Sequence, residues 1–511
     1  MSSSSTLTRQ RALVAALERQ LHAQLIETHI SWVLLAGRDA YKIKKAVHPG
    51  FLDFTTLAAR RHFCHEELRL NRRAAPQLYL EVVAIGGSWE QPVLQAAPAI
   101  EYAVHMRRFA PTRTLDRLLA AGQLAPAVLD KLAVVVARFH AALPRQTAYG
   151  DPAILYHHAM QNFAQLAALP LPPAWQAEWP AVQQATVRAF EACHAVLQQR
   201  WRAGCVREGH GDLHLGNIVW LDDEPVPFDA IEFDPALRHL DAMDEVAFTM
   251  IGLLHGGRAD LAWRYLNAYL EITGDYPGCA VLPFYLAYRA MVRAKVAALR
   301  AQQAGATLDD CARYMALARQ VLRPSRPALI ITQGLPGSGK TTFSQYCVQQ
   351  LGAIRLRSDV ERKRLFGLAA QDSSRARGLD IYQAGATRRT YDRLHELART
   401  LLQSGYCVVV DAAFLRCDER ARFRALAQEL AVPFALAILL APLPELRRRL
   451  EARRGDASEA DGAVLEKLRA VQQFPTGSEL RRAVYFTTGE RPDSRFNDRN
   501  WRNLLRWTGR R

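Results

Sequence analysis

Hydrophobic positions follow two rhythms along this chain, and the change falls near residue 323. From Ile30 to Phe109 short alternating and apolar runs predict a small sheet with one helix. Strands are expected at Ser31–Ala36 and Asp39–Val47, joined by a Gly37-Arg38-Asp39 turn, and again at Leu78–Ile85 and Ala99–Arg107. Between them Leu57–Arg73 has helical spacing, with Leu57, Phe63, Leu68 and Leu70 among its apolar positions. From Thr114 to Leu322 helical patterns dominate, interrupted by Leu169–Pro173 and by a strand–turn–strand pair around Asn217–Asp229. Arg323-Pro324-Ser325-Arg326-Pro327 reads as a linker, because each proline disfavours helix at its own position and the one before. Beyond it strands (Ala328–Gln333, Ala353–Arg357, Cys407–Asp411, Phe434–Leu440) alternate with helices (Lys340–Gln350, and one beginning at Asp359–Leu365). Such alternation predicts a parallel sheet covered on both faces. The expected architecture is an α+β bilobal domain over residues 1–322, with a sheet lobe to about 109 and a helical lobe from about 110. A linker over 323–327 and an α/β domain over 328–511 complete it.

Composition narrows the setting. No apolar run reaches the roughly 18–20 residues needed to span a bilayer. The Ser-rich start, Met1–Thr6, lacks the apolar stretch of a secretory signal and reads as a tail, so a cytoplasmic protein without a membrane partner is expected. Eight cysteines are scattered with no Cys-x-x-Cys pair, which argues against structural zinc and a disulfide framework. The formal net charge of +16 suits phosphate-rich ligands or nucleic acid, and equally describes a solvated basic surface. Only eight of the 66 basic residues are lysine, and three of those sit together at Lys42, Lys44 and Lys45.

Two strings carry chemistry. In His210-Gly211-Asp212-Leu213-His214-Leu215-Gly216-Asn217, Asp212 and Asn217 are five residues apart, and Asp229 follows twelve later. Phosphoryl transfer from ATP needs a carboxylate near the acceptor hydroxyl and two groups that hold Mg2+ against the phosphates. Asp212 suits the first role; Asn217 and Asp229, as hard oxygen ligands, suit the second. The second string, Gly334-Leu335-Pro336-Gly337-Ser338-Gly339-Lys340-Thr341, continued by Thr342, fits the P-loop pattern. Its glycines let backbone N–H groups wrap phosphates, Lys340 reaches the β/γ-phosphates, and Thr341 offers an oxygen to Mg2+. Val408-Val409-Val410-Asp411 reads as a strand whose Asp411 binds the same metal through water.

The first string resembles the catalytic loop of aminoglycoside phosphotransferases and related small-molecule kinases of the protein-kinase-like fold. Asp229-Ala230-Ile231-Glu232-Phe233-Asp234-Pro235, with Asp241 and Asp244, is similar to that family's metal-binding aspartate and the acidic helix start after it. The resemblance implies a lysine on the sheet that pairs with the α/β-phosphates and with a helix glutamate. Lys42 and Lys44 share one strand face and Glu66 and Glu67 lie on the next helix; Lys44 with Glu67 is favoured, with Lys42 and Glu66 open. Val104–Phe109, with Met106, looks like the hinge that meets adenine, and the phosphate-covering Gly-x-Gly-x-x-Gly is missing.

The second half resembles small P-loop kinases such as gluconate kinase, polynucleotide kinase and the zeta-type toxins. That resemblance implies Asp359 as the base facing the acceptor, Arg362 on acceptor or phosphate, and a lid over Arg447–Ser458 whose Arg449 and Arg453 stabilise the transferring phosphoryl. The whole is similar to bacterial two-domain proteins joining an aminoglycoside-phosphotransferase-like domain to a P-loop domain. It implies an ATP- and Mg2+-dependent kinase with two heads acting on hydroxyl acceptors: a small metabolite at the first, a small metabolite or polynucleotide 5′-hydroxyl at the second. Two rival classes stay open. One is a regulatory protein with a head that only senses ATP. The other is a nucleic-acid-binding P-loop ATPase, suggested by the charge and by Trp501 and Trp507 among Arg502, Arg506, Arg510 and Arg511.

Overall fold

The computed structural model describes residues 3–50, 52–145, 148–170, 172–324, 326–452, 457–487 and 498–509. Ser325, Arg453 to Asp456, Arg510 and Arg511 lie outside the described residues. The chain forms two compact units, Met1–Gly256 with Phe284–Arg319, and Gly257–Pro283 with Gln320–Arg511.

The first unit begins with a six-stranded antiparallel sheet. Its strands are β1 (Gln24–Glu27), β2 (Ser31–Ala36), β3 (Asp39–Lys44), β4 (Tyr79–Gly87), β5 (Pro92–Leu94) and β6 (Glu101–Arg107), in the order β1-β2-β3-β6-β4-β5. Strand alternation gives this sheet two different faces. Trp32, Leu34, Ile43, Val83, Ile85 and Ala103 pack with Leu13, Val14 and Leu17 of a helix over Ser3–Gln20. Of the Ser-rich start expected as a tail, Ser3–Thr6 is therefore the first turn of a core helix. Serine favours helix starts as readily as loops, and the apolar positions that anchor this helix come only a dozen residues later. On the opposite face lies the helix Leu57–Asn71, capped by the Thr56 side chain, with Cys64, Leu78, Tyr79 and Val104 buried beneath it. Because Ile43 faces the first helix, Lys42 and Lys44 must face the second. Strand β3 stops at Lys44 rather than Val47, since the chain turns there and Val47 N–H donates to Lys45 O.

The rest of this unit is mainly helical, with two short hairpin-like pairs. Strands β7 (Val206–Glu208) and β10 (His239–Asp241) form one, and β8 (Ile218–Leu221) and β9 (Glu224–Pro227) the other. The helix Ala242–His255 packs against β10.

The second unit is a parallel sheet of β11 (Ala328–Gln333), β12 (Ile354–Arg357), β13 (Cys407–Asp411), β14 (Phe434–Leu440) and β15 (Ala483–Thr487), ordered β12-β13-β11-β14-β15. All six residues of β11 are buried, as a central parallel strand covered on both faces requires. The helix Asp498–Trp507 lays Trp501, Leu505 and Trp507 against the core formed by Phe343, Val484, Phe486 and Leu504. Trp501 meets Tyr346 edge-on at 4.6 Å between ring centroids. Both tryptophans are thus partly buried in packing on the domain core.

A boundary drawn at the Pro-rich linker assigns Gly257–Pro283 to the first domain; in the structure this segment is part of the second unit. The prolines mark where helix stops, and they carry no information about which sheet an earlier helix packs on.

Among the described residues no helix is long and apolar enough to cross a membrane. None of the eight cysteines is bridged.

Candidate active sites

In the first unit, β3 and the helix Leu57–Asn71 bring two lysines onto one carboxylate. Glu67 stands 2.8 Å from Lys42 and 2.7 Å from Lys44. Lys44 is also bonded to Glu232, and Lys42 to Asp229 at 2.5 Å. The favoured Lys44–Glu67 pair is present, and Lys42 shares the same glutamate. Glu66 turns away to Arg69 and Arg238. Exposure separates the two lysines. Lys44 and Glu67 have no exposed side-chain surface, whereas Lys42 keeps 13% and Asp229 45%. Lys42 and Asp229 are thus the pair a ligand can reach. Burial opposes charge on Lys42, but Asp229 and Glu67 outweigh it and hold its pKa well above the ordinary lysine value. For Glu67, burial pushes upward and the two lysines more than cancel it, so its carboxyl sits below the usual range.

The loop after β7 is braced from behind. Glu245 accepts from the backbone N–H groups of His210 and Gly211 and lies 2.7 Å from His140. Burial raises the Glu245 pKa, and the His140 contact and these N–H donors reverse that to about 2. The Arg289 guanidinium grips Asp244 at 2.7 and 2.8 Å. His210 Nε2 is 2.8 Å from Phe228 O, which ties the loop to the end of β9. Asn217 Nδ2 donates to Asp212 O and Oδ2, both at 3.0 Å. His214 Nε2 is 3.6 Å from Asp212, and its ring Nδ1 accepts from Gly216 N–H, consistent with loop support. Asn217 and Asp229 sit at the open end of the β8–β9 pair, where Phe228 N–H donates to Asn217 O. Asp229 holds φ +65°, a left-handed conformation that a non-glycine residue adopts at a cost; Tyr79 Oη accepts its N–H and Asn71 Oδ1 that of Ala230. Met106 lies on β6 with its side chain against the Cys64–Val104 cluster.

In the second unit the loop between β11 and the helix Lys340–Leu351 has no room for a side chain at Gly334 or Gly337. A Cβ on Gly334 would fall 2.4 Å from Ser338 Oγ, and one on Gly337, at φ +82°, 3.0 Å from Leu446 O. Lys340 Nζ donates to Gly334 O and Leu335 O, both at 2.9 Å. A cavity of about 1860 Å3 opens over this loop, lined by Gly337, Lys340, Thr341, Asp359, Arg362 and Asp411 among others. Thr342 and Gly339 line it as well; Ser338 is buried and Gly334 lies behind it. Asp411 ends β13 and accepts from Ser344 Oγ at 3.0 Å. Arg362 donates to Asp359 at 3.0 Å and lies over the Tyr382 ring. Arg449, on the helix Leu443–Ala452, donates to Gly337 O at 3.1 Å and pairs with Glu445. Arg453 is outside the described residues.

The loop amides, Lys340, the Thr341 hydroxyl and the Asp411 carboxylate around a glycine-lined concavity fit a nucleoside triphosphate with Mg2+. Asn217 and Asp229 fit the same metal at the first site by their hard oxygens. Several supporting residues gave no sequence signal. Tyr79, Asn71, Glu245 and Arg289 act across 34 to 159 residues of chain, and no local spacing marks such pairs.

The chain is a two-domain protein, with an α+β domain built on an antiparallel sheet followed by a P-loop domain built on a parallel one. Residues 329–475 match the family model described as AAA domain. Over 468 residues the chain is 30% identical to Uncharacterized protein Rv2004c of Mycobacterium tuberculosis (strain ATCC 25618 / H37Rv), covering 89% of this chain and 91% of that one. The same figures hold for Uncharacterized protein Mb2027c of Mycobacterium bovis (strain ATCC BAA-935 / AF2122/97). The chain belongs to the family of these mycobacterial proteins. Among solved structures it is similar to an amicoumacin kinase, hAmiN, in complex with AMP-PNP, Ca2+ and Ami (12% identity, TM-score 0.40, 62% of this chain and 94% of that one). It is also similar to a gluconokinase from Sinorhizobium meliloti 1021 (17% identity, TM-score 0.28, 36% and 95%).

Proposed function

We propose that this chain is a cytoplasmic, ATP- and Mg2+-dependent phosphotransferase with two heads, each moving a γ-phosphoryl group to a hydroxyl acceptor. The observation that carries the reading is the convergence of Lys340, Thr341, Asp359, Arg362 and Asp411 on one cavity. A cavity of about 1860 Å3 exceeds the roughly 300–1,000 Å3 of a single small-ligand site and suits nucleotide plus acceptor. At this head the loop amides and Lys340 would bind the β- and γ-phosphates, with Thr341 and Asp411 holding Mg2+. Bound Mg2+ neutralises charge on the phosphate oxygens. Asp359 orients the acceptor hydroxyl and takes its proton. The acceptor oxygen bonds to the γ-phosphorus as the bond to the β,γ-bridging oxygen breaks, and ADP leaves. Arg449, beside the loop, meets charge on the transferred group.

At the first head Asp212 plays the part of Asp359, Lys42 that of Lys340, and Asn217 and Asp229 hold the metal. Met106 would sit beside the adenine. A small metabolite is the acceptor class assigned to this head; a small metabolite or a polynucleotide 5′-hydroxyl remains for the second. A metabolite-pool phosphorylation screen with labelled ATP tests the proposal on the intact protein. Labelled products should depend separately on Asp212 and on Asp359. A single variant that abolishes all labelling while both sites still bind ATP would instead favour a sensing head.

A further inference from the structure

The segment Gly257–Pro283 is flanked in sequence by helices of the first unit, yet it belongs to the second. Its helix, Ala259–Thr273, packs against the helix Lys340–Leu351 and against β12, an edge strand of the sheet. The fit is close: a Cβ on Gly352 would fall 2.8 Å from the Trp263 ring. Asn267 bonds the edge strand through both ends of its amide. Its Nδ2 donates to Ala353 O at 3.0 Å, and its Oδ1 accepts from Arg355 N–H at 2.7 Å. Backbone groups that an edge strand leaves unpaired are thereby satisfied. Further on, Tyr406 Oη donates to Cys279 O at 2.8 Å.

One turn beyond Asn267, Glu271 enters the charge network behind the P-loop site. Its Oε1 accepts from Arg355 at 2.7 Å, and its Oε2 stands 3.5 Å from Arg357 Nη1. Arg357 is the register partner of Asp411 across β12 and β13, and its Nε is 4.0 Å from Asp411 Oδ2. Arg364 fixes the end of the helix by donating to Glu271 O at 2.7 Å. The side chains of Glu271, Arg355 and Arg357 keep only 12%, 8% and 13% of their surface, so their charges are little screened by water.

We propose that Glu271 is a positioning residue for the P-loop head: it holds Arg357 beside Asp411 rather than on it, so that Asp411 keeps its oxygens for Mg2+. The inference rests on the Mg2+·ATP reading of that head. The reason is competition. A guanidinium 4.0 Å from a carboxylate is drawn to it, and a bidentate ion pair would occupy the oxygens the metal needs. Glu271 supplies the opposing pull. The P-loop head thus depends on a carboxylate about 60 residues before its own glycine loop, in a segment that a boundary at the proline linker would discard.

The test is calorimetric binding of ATP to the full-length chain, with Mg2+ and with EDTA. The binding event removed by Lys340→Ala identifies the P-loop head. Glu271→Gln should weaken Mg2+·ATP binding about tenfold, the range typical of residues that orient metal ligands, and leave metal-free ATP binding unchanged. Adding Arg357→Gln to Glu271→Gln should restore Mg2+·ATP affinity, while thermal unfolding should find the double variant no more stable than the single. Three results overturn the proposal: undiminished Mg2+·ATP binding in Glu271→Gln, an equal loss with EDTA, or no restoration in the double variant. Should Glu271→Gln fail to fold, Arg357→Gln alone decides, since the proposal requires Mg2+·ATP binding at least as tight as in the unaltered chain. Absence of any Lys340-dependent binding event in the unaltered chain would refute the P-loop reading itself, a separate outcome.

Discussion

In the first unit the charged centre is made of side chains gathered from β3, the helix Leu57–Asn71, and the turn after β9, with Lys42, Lys44, Glu67, Asp229 and Glu232 locked together. In the second, the phosphate cradle is a single backbone loop whose glycines leave no room for a Cβ, and one lysine folds back over it. Both arrangements gather cations and hard oxygens, the groups that the proposed function uses for a triphosphate and its metal. They differ in what holds them. A side-chain cage depends on burial and on every partner being present, because removing one leaves an uncompensated charge. A backbone cradle depends first on the conformation of its own loop. The first site should therefore fail by losing stability, the second by losing affinity.

The sharpest break between the heads is catalytic. Asp212→Asn should lower transfer by the first head about 10²–10⁴-fold, the range for a positioned acid–base group, with the second head unaffected. Lys340→Ala should do the converse, lowering transfer by the second head about 10²–10³-fold. Product-resolved turnover of the full chain checks both, and a joint loss in either variant would erase the separation.

Next in size is the contrast between the two lysines. Lys44→Met strands Glu232 in the interior, leaves Glu67 to Lys42 alone, and should cost about 3–5 kcal/mol by chemical unfolding. Lys42→Met leaves Asp229 with an exposed edge, so it should cost less stability and instead weaken ATP binding at the first head. Equal destabilisation by both would show that the cage does not distinguish its two cations.

A smaller effect concerns the brace behind the Asp212 loop. Glu245 has its folded pKa depressed from 4.5 to about 2. A depressed carboxylate contributes stability that is present above its unfolded pKa and lost as pH falls through the folded one, here between about 4.5 and 2. That contribution is on the order of 3 kcal/mol. Glu245→Gln should be less stable than the unaltered chain at pH 7 and flatter in that acid window, as read by urea midpoints across pH.

How much could be read in advance follows from the same contrast. The P-loop was legible because its chemistry is local: eight consecutive residues, Gly334 to Thr341, specify the turn, the cation and the hydroxyl. Strands β11, β13 and β14 were legible as unbroken apolar runs, the mark of strands buried on both faces. The Asp212–Asn217 string was legible for the same reason as the P-loop. Strand β15 and the helix over Ser3–Gln20 were not, since a short strand and a Ser-led helix lack a distinct period.

By itself the sequence determined which residues share a strand face, and so that Lys42 and Lys44 meet one helix while Ile43 meets another. It also determined the backbone freedom at Gly334 and Gly337. Only the tertiary structure decided that one glutamate serves two lysines, that Lys42 rather than Lys44 keeps a surface, and that Gly257–Pro283 completes the second unit. The physical reason is distance along the chain. Period and turn chemistry are set by neighbours within a few residues, whereas ion pairs and docked helices are set by whichever partners the packing brings together.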